Sequence, residues 1–268
     1  MLRAVLFDLD DTLVDQKSAA EAAVVAWAAE HGITDPDVRQ RWARISEFHY
    51  ERYQHRELTF AQQRTARVRE FLAIDVDEHR ASHLFDGYLT RYEALWIAFD
   101  DAVPALRRAR LAGLTIAVLT NGDEEHQRFK LTKLSLLNEI DMLIASSALP
   151  AGKPDPRAFA HALDRIGVTP DQAVMIGDSL EKDVHGAMNA GLNAVLLDRR
   201  NAWPDIDVPR VKSLDGLTFT ATLNANSPTS PTSQRQLVSP STQPNATTSK
   251  PTTSARESKP PWPTSSQP

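Results

Sequence analysis

Apolar residues follow two rhythms along the chain. Short uninterrupted apolar runs bounded by turn signals occupy residues 2–7, 114–119, 142–145, 173–176 and 194–197, with the length and character of fully buried strands. Helical patterns ending at a glycine lie between several of them. Residues 102–112 stop at Gly113, 157–166 at Gly167 and 183–190 at Gly191, each glycine suited to a left-handed helix end. Strand–helix alternation with continuous apolar strands predicts an α/β fold: a Rossmann-like, doubly wound parallel sheet covered on both faces. One stretch breaks the alternation. From about residue 16 to 95 the patterns are helical only, at 18–31, 37–54, 60–72 and 78–95, which predicts an all-helical cap inserted after the first strand. Such an insertion leaves from the carboxyl edge of the sheet, above the usual ligand crevice. The expected division is 1–15 with 96–222 as core and 16–95 as cap.

From residue 223 onward the pattern stops. Ser, Thr and Pro supply 27 of the 44 residues in 225–268, and the large apolar side chains there are Leu237, Val238 and Trp262. Burial cannot offset the ordering entropy of such a stretch, so 223–268 is read as a disordered tail, able at most to dock an unidentified partner. The remainder is ordinary in composition, since the chain is 41% hydrophobic and 24% charged, enough for a sizeable core. A net charge of −5 leaves no basic footprint for nucleic acid or an anionic membrane. The absence of cysteine excludes disulfides, thiolate metal sites and cysteine nucleophiles. The first apolar run is broken at Asp8, too early for a signal peptide, and no apolar run reaches about 18 residues. A cytoplasmic enzyme or binding protein is expected.

The candidate chemistry lies where the strands end. The first runs into Asp8, Asp10, Asp11 and Thr12, in FDLDDT. Two residues apart at a strand end, Asp8 and Asp10 can face one side and make a hard oxygen site suited to Mg²⁺, with one of them free to act as a nucleophile. The bland alternative is that Asp10, Asp11 or Thr12 caps the next helix. An EF-hand loop is rejected, because Leu13 stands where it needs glycine and Ala19 where it needs glutamate. The second strand ends in LTNGD with Thr120 and Asn121, AGKPDP places Lys153 before a helix, and MIGDSLEKD puts Asp178 at a strand tip with Asp183 five residues on. Each alone has a mundane reading as a turn, a surface lysine or a cap.

Taken together, Asp8-Leu9-Asp10-Asp11-Thr12, Thr120, Lys153 and Gly177-Asp178 with Asp183 resemble, in order and spacing, the signature of the haloacid dehalogenase-like (HAD) hydrolase superfamily. The stretches TNGDEEHQRFKL and VMIGDSLEKDVHGAMNAGL look like their counterparts in its N-acylneuraminate-9-phosphatase and pyrimidine 5′-nucleotidase members. The resemblance implies a phosphatase acting on a small phosphorylated metabolite, such as a nucleoside monophosphate or sugar phosphate, through an aspartyl-phosphate. Asp8 would be the nucleophile and Asp10 the proton carrier. Mg²⁺ would be held by Asp8, the carbonyl of Asp10, and Asp178. Lys153 would offset charge, and Thr120 and Asn121 would hydrogen-bond the phosphate. Asp183 would hold Lys153 or a metal-bound water, and Thr12 would fix the loop. The second aspartate favours a phosphatase over a haloacid dehalogenase, whose halide leaving group needs no proton. A phosphomutase also uses both aspartates, and a scaffold protein working through the tail is the alternative from another class.

The cap gives weaker signals. Arg52, Arg56, Arg64 and Arg67 are candidates for a substrate's second anionic group, but their interleaving with Glu47, Glu51 and Glu70 favours a solvated helix face. Trp27, Trp42 and Phe48 read as cap core, and His79 and His83 as surface residues.

Overall fold

A computed structural model describes residues 1–219 and Asn224–Ala225. Six parallel strands form the central sheet in the order β3-β2-β1-β4-β5-β6: β1 (Ala4–Phe7), β2 (Thr115–Thr120), β3 (Met142–Ala145), β4 (Ala173–Gly177), β5 (Asn193–Leu197) and β6 (Arg210–Val211). Although the strands read as continuous apolar runs, their side chains sort by parity into two separate cores. Val5 and Phe7 face one layer with Val118, Ile176 and Leu197, covered by α5 (Ala102–Leu111) and by Leu131 of α6 (Glu124–Lys133). Ala4 and Leu6 face the other with Leu119, Met175 and Leu196, covered by α7 (Pro156–Ile166) and α8 (Gly186–Asn189).

Between β1 and α5 stand the four cap helices, α1 (Gln16–Glu30), α2 (Val38–Gln54), α3 (Phe60–Leu72) and α4 (Glu78–Ala94). Local chemistry starts them. The Asp15 side chain accepts from Ser18 N, Asp77 accepts from Arg80 N, and Thr59 and Gln62 form a reciprocal capping box. They share a third core around Trp27, Trp42, Phe71, Phe85 and Tyr88. Phe48 departs from expectation. It is 54% exposed, on a side of α2 away from that core. His79 and His83 are exposed.

The helix α6 and the two-residue edge strand β6 were not anticipated. A short antiparallel pairing of Leu217–Thr218 (β7) with Asn224–Ala225 (β8) extends two residues into the stretch expected to be disordered. The rest of that tail reading lies outside the described residues. Among the described residues no helix is long and apolar enough to cross a membrane.

Candidate active site

Register brings the motif residues to one edge. Phe7 aligns with Val118 of β2 and Ile176 of β4, so Asp8, Thr120 and Asp178 lie within two residues of a common line at the carboxyl ends of three adjacent strands. Chain order reverses direction across β1 and β4, and that is where a doubly wound sheet opens its crevice.

Lys153 enters from the loop before α7, and Asn121 holds that loop. Its Nδ2 donates to the Lys153 carbonyl at 2.7 Å, and its Oδ1 accepts the Lys153 amide at 2.8 Å. The side-chain amide expected to bind phosphate is thus engaged in bracing lysine, with one N–H to spare. The buried Lys153 ammonium donates to Asp8 Oδ1 at 2.7 Å and Asp183 Oδ1 at 2.5 Å. The other Asp183 oxygen accepts from Ser179 N at 3.0 Å. Asp183 reaches this position because residue 177 is glycine: a Cβ there would lie 2.1 Å from Asp183 Oδ2.

Carboxylate oxygens of Asp8, Asp178 and Asp183 lie within 4.8 Å of one another. Burial pushes Asp8 up to about 7 despite Lys153, with Asp183 and Asp10 adding repulsion. Asp178 is pushed up to about 8 by burial and by Asp8, Asp183 and Asp11. Both Asp183 oxygens are hydrogen-bonded, so Asp8 and Asp178 are the pair left facing each other without enough positive charge between them. Hard oxygen donors in that state fit a small divalent cation.

Asp10 is placed by two residues that its motif does not contain. The Lys130 ammonium contacts Asp10 Oδ1, and Gln127 Nε2 donates at 2.9 Å to both Asp10 Oδ2 and Thr120 Oγ1. Both come from α6, three residues apart on its inward face. Burial works against ionised Asp10, but Lys130 and Gln127 outweigh it and hold the pKa low. This suits the base half of the proton-carrier role more directly than the acid half. The signal in TNGDEEHQRFKL was a Gln and a Lys at helical spacing beside a core Leu131, invisible until the helix had a known face.

Thr12 and Asp11 shape the loop. Thr12 Oγ1 accepts from Asp178 N at 3.1 Å, and its carbonyl accepts from Arg199, which is forked onto Asp101 at 2.8 Å. Asp11 takes φ 62°, a conformation aspartate tolerates, and accepts Lys17 N in the first turn of α1. Capping therefore accounts for its presence.

Above these residues the cap overhangs a half-open cavity of about 540 Å³. It meets the core through Tyr50, which donates to the Asn121 carbonyl at 2.8 Å, and Lys182, which pairs with Glu47 at 3.1 Å. The four candidate arginines separate. Arg52 pairs with Glu57 at the surface, and Arg56 donates to the carbonyls of Ser146 and Leu149. Arg64 and Arg67 turn into the cavity, contrary to the expected solvated face.

A family model described as haloacid dehalogenase-like hydrolase matches residues 2–191, and the chain belongs to that family. A phosphoserine phosphatase of Thermus thermophilus is 40% identical over 45% of this chain and 48% of its own length, so that match spans about half of the relative. N-acylneuraminate-9-phosphatase of Mus musculus is 36% identical over 40% of this chain and 42% of its own. Other relatives align over most of their lengths. Glyceraldehyde 3-phosphate phosphatase of Methanopyrus kandleri is 27% identical over 77% of this chain and 88% of its own, and (S)-2-haloacid dehalogenase 4A of Burkholderia cepacia is 28% identical over 79% and 89%. The HAD-hydrolase YfnB of Bacillus subtilis, solved with magnesium, shares the fold at TM-score 0.65 and 21% identity, over 80% of this chain and 96% of that one.

Proposed function

We propose that the protein is a Mg²⁺-dependent phosphatase that hydrolyses a small phosphorylated metabolite through an aspartyl-phosphate on Asp8. The observation that carries this reading is the second carboxylate. Asp10 lines the same cavity as Asp8 and is anchored by Lys130 and Gln127, and a carboxylate kept there suits a leaving alcohol, which needs a proton, and not a halide, which needs none. That separates the proposal from the dehalogenase reading, which a relative matching at nearly full length keeps in view.

Asp8 attacks phosphorus in line, and the bond from phosphorus to the ester oxygen breaks as Asp10 passes to that oxygen a proton it has taken up from solvent. Asp10 then takes a proton from water as the water attacks phosphorus, releasing phosphate and restoring Asp8. Lys153 spreads positive charge over Asp8 and the phosphoryl oxygens, with Asp183 fixing its direction. Thr120 lines the same pocket, with its hydroxyl free to donate to a phosphoryl oxygen once Gln127 occupies its lone pair. Mg²⁺, held by Asp8, Asp178 and the Asp10 carbonyl, would supply the charge that lets an anionic nucleophile meet an anionic ester.

The test is release of nitrophenol from p-nitrophenyl phosphate with Mg²⁺ and with chelator, for wild type and Asp8→Asn. Metal-dependent turnover that falls by at least about 10³-fold in the variant is expected. Equal inactivity of the two proteins at every metal concentration would end the proposal. Halide release from a 2-haloacid without ester hydrolysis would transfer it to the dehalogenase reading.

A further inference from the structure

Two guanidinium groups in the cap half of the cavity have no acid in direct contact among the described residues. Arg64 and Arg67 lie three residues apart on α3, and among the described residues neither forms an ion pair within 4.0 Å. Asp123, Glu93 and Asp86 attract Arg64 only from farther away. The Arg67 Nε is buried with no hydrogen-bond partner among the described residues, and so is the hydroxyl of Ser46, which lines the same cavity. Buried donors without acceptors are rare, because stranding them forfeits the hydration they had when unfolded.

Aromatic packing holds both groups in place. The Arg64 Cζ lies 4.1 Å from the ring centre of Phe60 and 5.3 Å from that of Phe85, and the Arg67 Cζ lies 5.6 Å from that of Tyr50. Stacking fixes the plane of a guanidinium and leaves its N–H edge for a planar or tetrahedral oxyanion. The local field points the same way. Burial lowers Arg67 to about 10, with Arg64 adding like-charge repulsion, so it stays charged at neutral pH. His126, on the core side, is pushed down to about 3 by burial and by the charges of Lys130 and Arg64.

We infer that Arg64 and Arg67 form a second anion subsite, and that the substrate is a phosphate monoester carrying another oxyanion, a carboxylate or a second phosphate, at the end away from Asp8. This rests on the phosphatase reading and narrows it. A neutral alcohol or sugar end would leave two half-buried charges without a close counterion, and an oxyanion would relieve both at once.

Pairs of esters matched in length test it: 3-phosphoglycerate against glycerol 1-phosphate, 6-phosphogluconate against sorbitol 6-phosphate, and fructose 1,6-bisphosphate against fructose 6-phosphate. The first two pairs report a carboxylate and the third a second phosphate. In at least one pair the charged member should have the higher kcat/KM, by about 10- to 100-fold. Arg64→Gln and Arg67→Gln should each lower that ratio about tenfold, mainly through KM, with Arg67→Lys keeping part of it. Thermal unfolding supplies a readout that a merely structural arginine would move the other way. Without substrate, Arg67→Gln should match or exceed wild type in Tm, because it removes an unpaired, half-buried charge whose Nε is stranded. If neither p-nitrophenyl phosphate nor any of the six esters is hydrolysed, the phosphatase reading fails and the subsite with it; if p-nitrophenyl phosphate alone is hydrolysed, the subsite is overturned and the phosphatase reading stands. If esters are hydrolysed but no pair favours its charged member, or the glutamine variants leave the preference unchanged, or Arg67→Gln lowers Tm, the subsite alone is overturned.

Discussion

Replacing Lys130 with methionine isolates what holds the second aspartate. Lys130 is 1% exposed, and its ammonium contacts Asp10 while lying 5.1 Å from the ring centre of Trp96 and 5.9 Å from that of Tyr92. Methionine is also unbranched and fills the same channel, so the packing cost is below about 1.5 kcal/mol. Stranding a fully buried partner would cost about 3–5 kcal/mol. Asp10, however, keeps 29% of its side chain open to the cavity and retains Gln127 at 2.9 Å, which brings the loss down to about 1–3 kcal/mol. Tm should fall by several degrees.

Turnover should respond more selectively. Positioned acid–base catalysis contributes about 10²–10⁴-fold, and a carboxylate that has lost one of two anchors gives up part of that, about 10- to 100-fold. The loss should appear in kcat/KM for an alkyl phosphate, whose leaving oxygen needs a proton. It should be small for an aryl phosphate, because kcat/KM ends at formation of the aspartyl-phosphate and the phenolate leaves unaided. In an Asp10→Asn background the lysine substitution should cost nothing further, since two residues acting through one carboxylate are not additive. Equal losses on both ester types, or full additivity with Asp10→Asn, would refute the claim that Lys130 works by placing Asp10.

Two further outcomes follow from particular contacts. Gly177→Ala should lower kcat by at least about 10²-fold, because the added Cβ would displace buried Asp183 from Lys153, and wild-type turnover in this variant would show that the Asp183 position does not matter. His126 is held neutral in the fold down to about 3, whereas the unfolded residue takes a proton below about 6.5, so its contribution to stability is complete above 6.5 and is lost as pH falls. Between pH 7 and pH 5 that amounts to about 2 kcal/mol, and His126→Phe, which keeps an aromatic ring beside Phe60 and Trp96, should remove it. Urea midpoints at the two pH values measure the difference, and parallel losses in wild type and variant would contradict a neutral buried imidazole.

The sheet was readable because a strand buried on both faces leaves an apolar run that little else produces, and β1 through β5 are all of that kind. The convergence of Asp8, Thr120 and Asp178 followed from strand ends alone, since a parallel sheet carries all its carboxyl ends to one edge. By contrast, α6 escaped because its buried residues are Gln127, Lys130 and Leu131, a face with almost no apolar contrast to the rest of the helix. β6 pairs over two residues, too few for any periodicity to register.

Arg64 and Arg67 show why the cap was harder to read than the core. On α3 the buried positions are Gln63, Thr65, Val68 and Phe71, so the helix has no clean apolar stripe by which to orient its arginines. Asp10 poses the same problem from the other side of the cavity, because its partners are polar residues on a polar helix. Polar side chains that line a binding cavity are arranged to meet a ligand, and the pattern that betrays burial to a reader of sequence is the exclusion of polar groups. The residues that line the cavity are therefore those for which hydrophobic periodicity says least, and in this chain they emerge only when α3 and α6 close over the carboxyl edge of the sheet.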